Sequence, residues 1–165
     1  MNDFIYTLAF IRKNDEILMI NRQKNPWQGM WNGVGGKRKN NESPLDCIIR
    51  EIEEETGIRV TKKLVIFKGI CTWNDEFKSA SSGLYMFLVQ LPKEYTYETP
   101  RITPEGILDW KKIDWISDTS NLGVAYNIPY FMKHLLVDQR IIHYDCTFKG
   151  NNLINVKETD FVWNG

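Results

Sequence analysis

The chain has 165 residues, 42% of them hydrophobic, and its 21 Lys and Arg residues balance 21 Asp and Glu residues. Without a linker-like stretch, this length predicts a single folded domain over residues 1–165, and zero net charge disfavours duplex nucleic acid or an anionic membrane as the main partner. No apolar run in the sequence is long enough for a membrane-spanning helix, and the first three residues do not resemble a signal peptide.

The cysteines indicate a reducing compartment. Cys47, Cys71 and Cys146 are odd in number and widely spaced, which favours reduced thiols and a cytoplasmic location over a disulfide framework. Since His134 and His143 are the only histidines and no cysteines are closely paired, a structural zinc site is not expected.

The hydrophobic pattern predicts a chain of mixed α and β structure. Residues 4–12 and 16–22 are rich in β-forming side chains and flank a polar turn, so they predict a hairpin. The pattern further predicts a glycine-rich segment at 31–37, strands within 58–73, 83–91 and 104–113, helices over 44–56 and 127–137, and a closing hairpin over 140–158. This order predicts a sheet with helices packed against it.

The first predicted helix, over residues 44–56, has both ends marked in the sequence. Ser43 can cap its start, Pro44 fits the first turn and Gly57 can close its end. Four aliphatic residues fall within one arc of roughly 100°, the width of a stripe that faces a core. They are Leu45, Ile48, Ile49 and Ile52.

Three glutamates lie where this helix tolerates them least. Glu51, Glu54 and Glu55 fill an arc beside the apolar stripe in the last turns, where the helix dipole already presents negative charge. Glu51 and Glu55 also repel each other as an i, i+4 pair, at a cost of about 0.2–0.5 kcal/mol. A solvated acidic face is one interpretation of this pattern. The other is a divalent cation, because clustered carboxylate oxygens suit Mg²⁺ or Mn²⁺ and a carbonyl of the preceding glycine-rich segment could join them.

The segment from Gly36 to Ile58 is more specific than its parts. It matches the pattern G-x5-E-x7-R-E-U-x-E-E-x-G-U, in which U is a bulky aliphatic residue, at every defined position. Those positions are Gly36, Glu42, Arg50, Glu51, Ile52, Glu54, Glu55, Gly57 and Ile58. The pattern is the Nudix box, and on it the chain resembles the Nudix hydrolases.

The resemblance implies an α/β fold, namely an α/β/α sandwich with a mixed central sheet. It also implies hydrolysis of a nucleoside diphosphate linked to another group, with Mg²⁺ as the cofactor and Mn²⁺ able to substitute. By this resemblance Glu51 and Glu55 would ligate the metal, with the Gly35 carbonyl beside them. Glu54 would bind metal or polarise the attacking water, and Arg50 would orient Glu51 through an ion pair.

Two further glutamates receive roles from the resemblance. Glu42 is expected to brace the loop that precedes the helix. Many family members take an additional carboxylate for the metal from a later loop, and Glu105 in the segment TPEGILDW is the candidate by position. A solvated turn residue is the alternative for Glu105.

Residues outside the box resemble a narrower group, the MutT-type 8-oxo-dGTP diphosphatases. The similarity lies in YTL at 6–8, MWNGVGGK at 30–37 and the EGILDW loop, and the closing hairpin resembles a bacterial branch of that group. In relatives with W-N-G the Asn reads the purine edge, so the resemblance makes Asn32 the candidate base reader; an amide with both donor and acceptor suits an oxidised guanine. Arg22 and Lys37 are candidate phosphate contacts, and for Arg22 a charge at a strand end is the alternative.

One departure weakens the expected purine preference. Some close relatives place two adjacent aspartates before the second helix, where this chain has Gly123 and Val124. Asn121 or Asp118 could substitute for them, and the sequence does not rank the two.

Tryptophans offer a further contact for a base. Trp27, Trp31 and Trp73 lie in predicted loops, and one of them could stack on a base. Core or rim packing is the alternative for each.

Three functions are consistent with these observations. The leading one is a nucleotide-sanitising diphosphatase that converts a small-molecule nucleotide to a nucleoside monophosphate and pyrophosphate. A second is a Nudix hydrolase of a dinucleotide, a sugar nucleotide or an RNA 5′ end, and the neutral charge without a basic stripe disfavours the RNA. The third is a catalytically silent ligand sensor, which the complete set of box glutamates disfavours. The sequence predicts no oligomeric state.

Overall fold

A ten-stranded mixed sheet forms the centre of the computed structural model, which describes residues 3–163. Its strands are β1 (Tyr6–Lys13), β2 (Glu16–Arg22), β3 (Trp31–Asn32), β4 (Val34–Lys37), β5 (Val65–Trp73), β6 (Gly83–Gln90), β7 (Arg101–Thr103), β8 (Gly106–Lys112), β9 (Ile142–Lys149) and β10 (Asn152–Asp160). The helices of this part of the chain are α1 (Pro44–Thr56), α2 (Ile113–Ser117) and α3 (Ile128–Leu135), with a 3₁₀ turn at Lys62–Leu64.

The order of strands across the sheet is β10-β9-β5-β6-β1-β2-β8-β7, with β3 paired to β2 and β4 paired to β1. The pairs β1–β6 and β5–β9 are parallel, and the other pairs are antiparallel. The predicted hairpins therefore form as β1–β2 and β9–β10. The short strand β4 pairs with the first half of β1, so this part of the glycine-rich segment lies next to a central strand of the sheet.

Helices cover the two faces of the sheet. Ile48 and Ile52 of α1 belong to one buried cluster together with Ile11 and Leu18 of the first hairpin. On the opposite face, α2 and α3 contribute to a second buried cluster that includes Phe131. The arrangement is an α/β/α sandwich with a mixed central sheet, so the predicted fold class is confirmed.

The first helix forms within the predicted bounds because both of its ends are satisfied. Ser43 Oγ accepts a hydrogen bond from the Asp46 backbone N–H at 3.1 Å, and Pro44 occupies the first turn. At the other end Gly57 adopts φ +76° and donates its N–H to the Glu53 carbonyl at 2.8 Å. A left-handed residue at this position is the usual glycine stop of a helix.

Two glycines of β4 let α1 lie close to the sheet. A Cβ on Gly35 would lie 2.1 Å from the Thr7 carbonyl oxygen of β1. A Cβ on Gly36 would lie 2.4 Å from Glu51 Oε2, so the bare backbone at 36 makes room for that carboxylate. The glycine-rich segment 31–37 thus forms the short strands β3 and β4, and the missing side chains at Gly35 and Gly36 let Glu51 of α1 lie against β4.

Several predicted elements differ from the structure. The strand predicted within 58–73 begins only at Val65, because Ile58 and Val60 are buried by packing next to the end of α1 rather than in the sheet. Trp31 and Trp73 lie in strands β3 and β5, so their assignment to loops was wrong. The second long helix is shorter than predicted, and the sequence patterns missed β7 and α2.

Within residues 3–163, no helix combines the length and the apolar character that crossing a membrane requires.

Candidate active site

A cleft of about 1250 Å³ lies at the ends of strands β1, β2, β5, β6 and β9. One end is lined by the glycines of β4 and by glutamates of α1, and we call the group of Glu51, Glu55 and Glu105 the acidic end. The other end is lined by the loop after β2, the start of α3 and the tip of the β9–β10 hairpin. A single cleft therefore connects segments that are far apart in the sequence.

Arg50 organises the carboxylates next to the cleft. Its Nε and Nη2 donate to the two oxygens of Glu42 at 2.7 and 2.9 Å, and its Nη1 donates to Glu51 Oε1 at 2.7 Å and Glu54 Oε2 at 2.9 Å. Nη2 also donates to the Lys37 carbonyl at 3.0 Å, which ties the helix to the end of β4. The hydrogen bonds that Arg50 donates lower the pKa of Glu42 to about 2, and donating to the Glu42 and Glu51 carboxylates raises the pKa of Arg50. Bidentate pairing of this kind fixes geometry as well as charge.

Glu55 carries the most perturbed carboxyl group of the acidic end. Burial raises its pKa to about 8, and the negative charges of Glu51 and Glu105 raise it in the same direction. The positive charge of Arg22 and a backbone hydrogen bond from Gly35 oppose this shift. The structure thus brings Glu105, from the loop between β7 and β8, within electrostatic reach of the helix glutamates.

The three box glutamates of α1 do not occupy equivalent positions. Glu51 and Glu55 are half-buried and line the cleft. Glu54 is 52% exposed, lies outside the cleft lining, and pairs with Arg50 and, at 3.7 Å, with Lys39. Glu54 can therefore reach a ligand only by turning from its ion pairs.

The donor set of the acidic end suits a hard divalent cation. Three carboxylates line this end, and the negative charges of Glu51 and Glu105 add to burial in raising the pKa of Glu55, so a cation would relieve their repulsion. Among residues 3–163, no three His, Cys, Asp or Glu side chains are already arranged as a metal-binding group. The reason lies in their partners, since Arg50 holds Glu51 and Glu54 while a Gly35 backbone hydrogen bond holds Glu55. The chemistry of the donors fits a metal, and their final orientation would follow its binding.

Of the three predicted substrate residues, two line the cleft and one does not. Asn32 and Arg22 line the cleft; Asn32 Oδ1 accepts the Gly33 N–H at 2.8 Å, and Arg22 Nε donates to the Pro26 carbonyl at 2.6 Å. Lys37 is exposed and is not part of the cleft lining.

Gly123 and Val124, which stand where some relatives have two aspartates, have a structural role. The Gly123 carbonyl accepts the Trp31 N–H at 2.8 Å, and Val124 is fully buried beside β3 in an isolated parallel bridge. Asn121 is bonded to the Trp115 carbonyl and the Gly123 N–H, and Asp118 is bonded to Ser120. Neither of these side chains lines the cleft, so neither takes the place of the aspartates.

Sequence reasoning missed several residues of the cleft. Asn127, which the pattern included in a helix, is the residue just before α3 and faces the cleft. Its amide contacts two buried thiols: Nδ2 lies 3.9 Å from Cys71 Sγ, and the side chain also hydrogen-bonds Cys146. Tyr126 and Phe148, which the sequence did not single out, line the same end as Trp27, which the sequence offered as a stacking residue. An Asn before an Ile-Pro helix start was a visible signal of a cap, although the side chain makes no capping hydrogen bond. Its place in the cleft was not visible in the sequence.

Comparison with known proteins identifies the family. A sequence model of the NUDIX domain matches residues 5–158. The chain belongs to the Nudix family. This Nudix chain is a hydrolase of a nucleoside-diphosphate-linked substrate, and its family generally uses divalent metals such as Mg²⁺. The predicted family and enzyme class are confirmed.

This Nudix hydrolase is similar to individual members of the family over most of its length. The crystal structure of a MutT protein from Bacillus halodurans is 29% identical with a TM-score of 0.73, covering 93% of this chain and 95% of that one. The uncharacterised Nudix hydrolase YvcI of Bacillus subtilis is 26% identical over 142 residues, covering 86% of this chain and 85% of that protein.

Shorter segments match two proteins with named activities. An 8-oxo-dGTP diphosphatase of Proteus vulgaris is 37% identical over 51 residues, which is 30% of this chain and 46% of that protein. An ADP-ribose pyrophosphatase of Methanocaldococcus jannaschii is 40% identical over 50 residues, which is 30% of each chain.

The pKa of Glu55 predicts how the stability of the metal-free protein depends on pH. Because folding raises this pKa from 4.5 to about 8, the protonated carboxyl favours the folded state. Its contribution is fully present below pH 4.5 and is lost as pH rises towards 8, at about 1.4 kcal/mol per pH unit. The free energy of unfolding, measured with urea in EDTA at several pH values, should fall with pH at this slope in the wild type and less steeply in Glu55→Gln. Glu53→Gln, on the same helix but outside the cleft, should keep the wild-type slope; equal slopes in all three proteins would contradict the assignment.

Proposed function

We propose that this Nudix hydrolase is a Mg²⁺-dependent nucleoside triphosphate pyrophosphohydrolase. Its preferred substrates are oxidised purine nucleotides such as 8-oxo-dGTP, which it hydrolyses to the monophosphate and pyrophosphate. The observation that carries the proposal is the single cleft, which has carboxylates at one end and amide and aromatic side chains at the other.

The acidic end would hold the cation and the phosphates. Glu51, Glu55 and Glu105, with the backbone of Gly35, are the candidate metal ligands, and Glu54 becomes one on leaving Arg50. A bound divalent cation supplies a Lewis acid that neutralises charge on the bridging phosphate oxygens. Glu54 is also the candidate to polarise the attacking water, since it is the most exposed carboxylate of the group paired with Arg50.

Arg50 and Arg22 support this arrangement with positive charge. Arg50 keeps the Glu51 carboxylate oriented, so that Glu51 Oε1 stays paired while Oε2 lies against Gly36. Arg22 lies in the cleft and interacts electrostatically with Glu55, a position suited to a phosphate contact. Lys37 has weaker support as a phosphate contact, because its side chain lies outside the cleft lining.

The cleft also offers amide groups that suit a purine edge. Asn32 uses its Oδ1 for the Gly33 N–H, which leaves its Nδ2 to donate to a base. Asn127 adds an amide whose Nδ2 contacts the thiols of Cys71 and Cys146, which leaves its Oδ1 to accept a hydrogen bond from a ligand. An oxidised guanine presents donors and acceptors along one edge, and two amides in one cleft can complement them.

A second candidate function is hydrolysis of a larger nucleoside-diphosphate-linked substrate, such as a dinucleotide or a sugar nucleotide. The size of the cleft favours it, because about 1250 Å³ exceeds the 300–1,000 Å³ that is usual for small-molecule sites. The short match to an ADP-ribose pyrophosphatase supports the same alternative, while the match to an 8-oxo-dGTP diphosphatase supports the first.

A nucleotide panel distinguishes the two functions. Purified protein with Mg²⁺ would be assayed against 8-oxo-dGTP, dGTP, dTTP, ADP-ribose and a diadenosine polyphosphate, with products identified by chromatography. The proposal expects the highest kcat/KM on 8-oxo-dGTP, with monophosphate and pyrophosphate as products. A preference for ADP-ribose or the dinucleotide would establish the second function instead, and no turnover of any nucleotide would indicate a sensor.

Removal of metal and of the Glu54 carboxylate should each stop the reaction. EDTA should abolish turnover, and Glu54→Gln should lower kcat at least about a hundredfold, the usual contribution of a positioned acid or base. Because Glu54 is 52% exposed, the melting temperature of the Glu54→Gln protein should differ little from that of the wild type. Glu53→Gln serves as the matched control and should retain activity. Full activity of Glu54→Gln would remove the catalytic role proposed for this glutamate.

The role of Asn32 can be separated from that of the metal site. Asn32→Ala removes one or two hydrogen bonds to a purine edge, each worth about 0.5–1.5 kcal/mol, and leaves the carboxylates in place. We expect kcat/KM for 8-oxo-dGTP to fall by roughly one to two orders of magnitude and kcat/KM for dTTP to change much less. Asn155→Ala, on the exposed strand β10, is the control. Equal losses on both substrates would mean that Asn32 only shapes the β3–β4 segment.

A further inference from the structure

Three aromatic side chains form a continuous surface at the end of the cleft away from the glutamates. Trp27 packs edge-on against Tyr126, with ring centroids 5.3 Å apart. Its ring is tilted relative to that of Phe148, with centroids 5.8 Å apart. All three rings are half-buried and line the cleft. We call this group the aromatic wall.

The backbone at Trp27 is held in an unfavourable conformation. Its φ of +63° lies in the left-handed region, which bulky residues rarely adopt. Arg22 donates from Nε to the Pro26 carbonyl at 2.6 Å, and the Trp27 carbonyl accepts the Met30 N–H at 3.0 Å. Such strain persists where surrounding contacts impose it, and it concentrates at ligand-binding sites. Arg22 also interacts with Glu55, so the same side chain connects the acidic end to the aromatic wall.

Asn74 fixes the third ring of the wall. Its Nδ2 donates to the Phe148 carbonyl at 2.9 Å, and its Oδ1 accepts the Phe148 N–H at 2.7 Å. The amide side chain thereby pairs with both backbone groups of Phe148, directly after β5 ends at Trp73. Although Phe148 is close to the tip of the β9–β10 hairpin, its position is set from outside the hairpin.

We propose that Phe148 is a specificity-determining residue, positioned by Asn74, that receives the base of the nucleotide on the aromatic wall and favours purines over pyrimidines. This inference rests on the proposed nucleotide hydrolase function and names how that site selects its base. A planar base can stack on an aromatic side chain, and the larger ring system of a purine buries more surface there. The wall belongs to the same cleft as the acidic end, so a nucleotide can place its phosphates at one and its base at the other.

A binding experiment in EDTA tests the wall without catalysis. The affinities for dGMP and dCMP would be measured by calorimetry for the wild type, Phe148→Ala and Phe77→Ala. Phe77 is the matched control, because it is 86% exposed and lies outside the cleft lining. We expect Phe148→Ala to weaken dGMP binding by about ten- to a hundredfold and dCMP binding much less, with Phe77→Ala unchanged. Equal weakening for both ligands, or wild-type affinity of Phe148→Ala for dGMP, would overturn the inference.

Kinetics with Mg²⁺ distinguish a positioning role of Asn74 from general support of the hairpin. In Asn74→Ala, KM for dGTP should rise about as much as in Phe148→Ala, while kcat for dGTP and KM for dTTP change little. Asn74→Asp keeps the acceptor for the Phe148 N–H but loses the donor, so it should show a smaller rise. A uniform fall of kcat on all substrates would indicate a structural role only and overturn the inference. Hydrolysis of no nucleotide would defeat the proposed function, while the EDTA experiment would still decide whether the wall selects a base.

Discussion

The ion pairs of Arg50 are the interaction on which the rest of the site depends. One guanidinium holds Glu42 from the loop before α1, Glu51 and Glu54 from the helix itself, and the carbonyl of Lys37 at the end of β4. Because these partners come from three consecutive segments, Arg50 fixes the helix, the loop and the strand relative to one another. A partly buried charge is stable only when it is fully paired, and here the pairing also keeps three carboxylates of one sign close together.

The glycines of β4 also position the carboxylates that Arg50 holds. Missing side chains at Gly35 and Gly36 let β4 pair closely with β1 and leave space for the Glu51 carboxylate. The result is an acidic end at which Glu55 is protonated more easily than an ordinary carboxyl. The cleft continues past Arg22 to the aromatic wall, so charge for a polyphosphate and surface for a base are parts of one cleft.

Local signals in the sequence predicted α1 and the hairpins, whereas distant contacts could not be read from it. The helix was predictable because Ser43 and Gly57 mark its ends and an apolar stripe marks its buried face. The segment 58–64 was wrongly predicted as strand, since burial of its apolar residues comes from packing next to α1. The motif named the glutamates of the candidate site but not Asn127 or the aromatic wall. Trp27 and Phe148 are more than a hundred positions apart in the chain, and only the folded sheet brings their rings into contact.

The affinity of the protein for Mn²⁺, measured by electron paramagnetic resonance in the wild type and in Arg50→Lys, tests most directly whether Arg50 prepares a metal site. The substitution keeps the positive charge but replaces a planar fork with a point charge that cannot hold Glu42, Glu51 and Glu54 together. Any loss of affinity in a variant that still melts cooperatively therefore reports geometry rather than charge. The account predicts at least about a tenfold loss, equal to roughly 1.4 kcal/mol. Unchanged Mn²⁺ affinity in folded Arg50→Lys would contradict it.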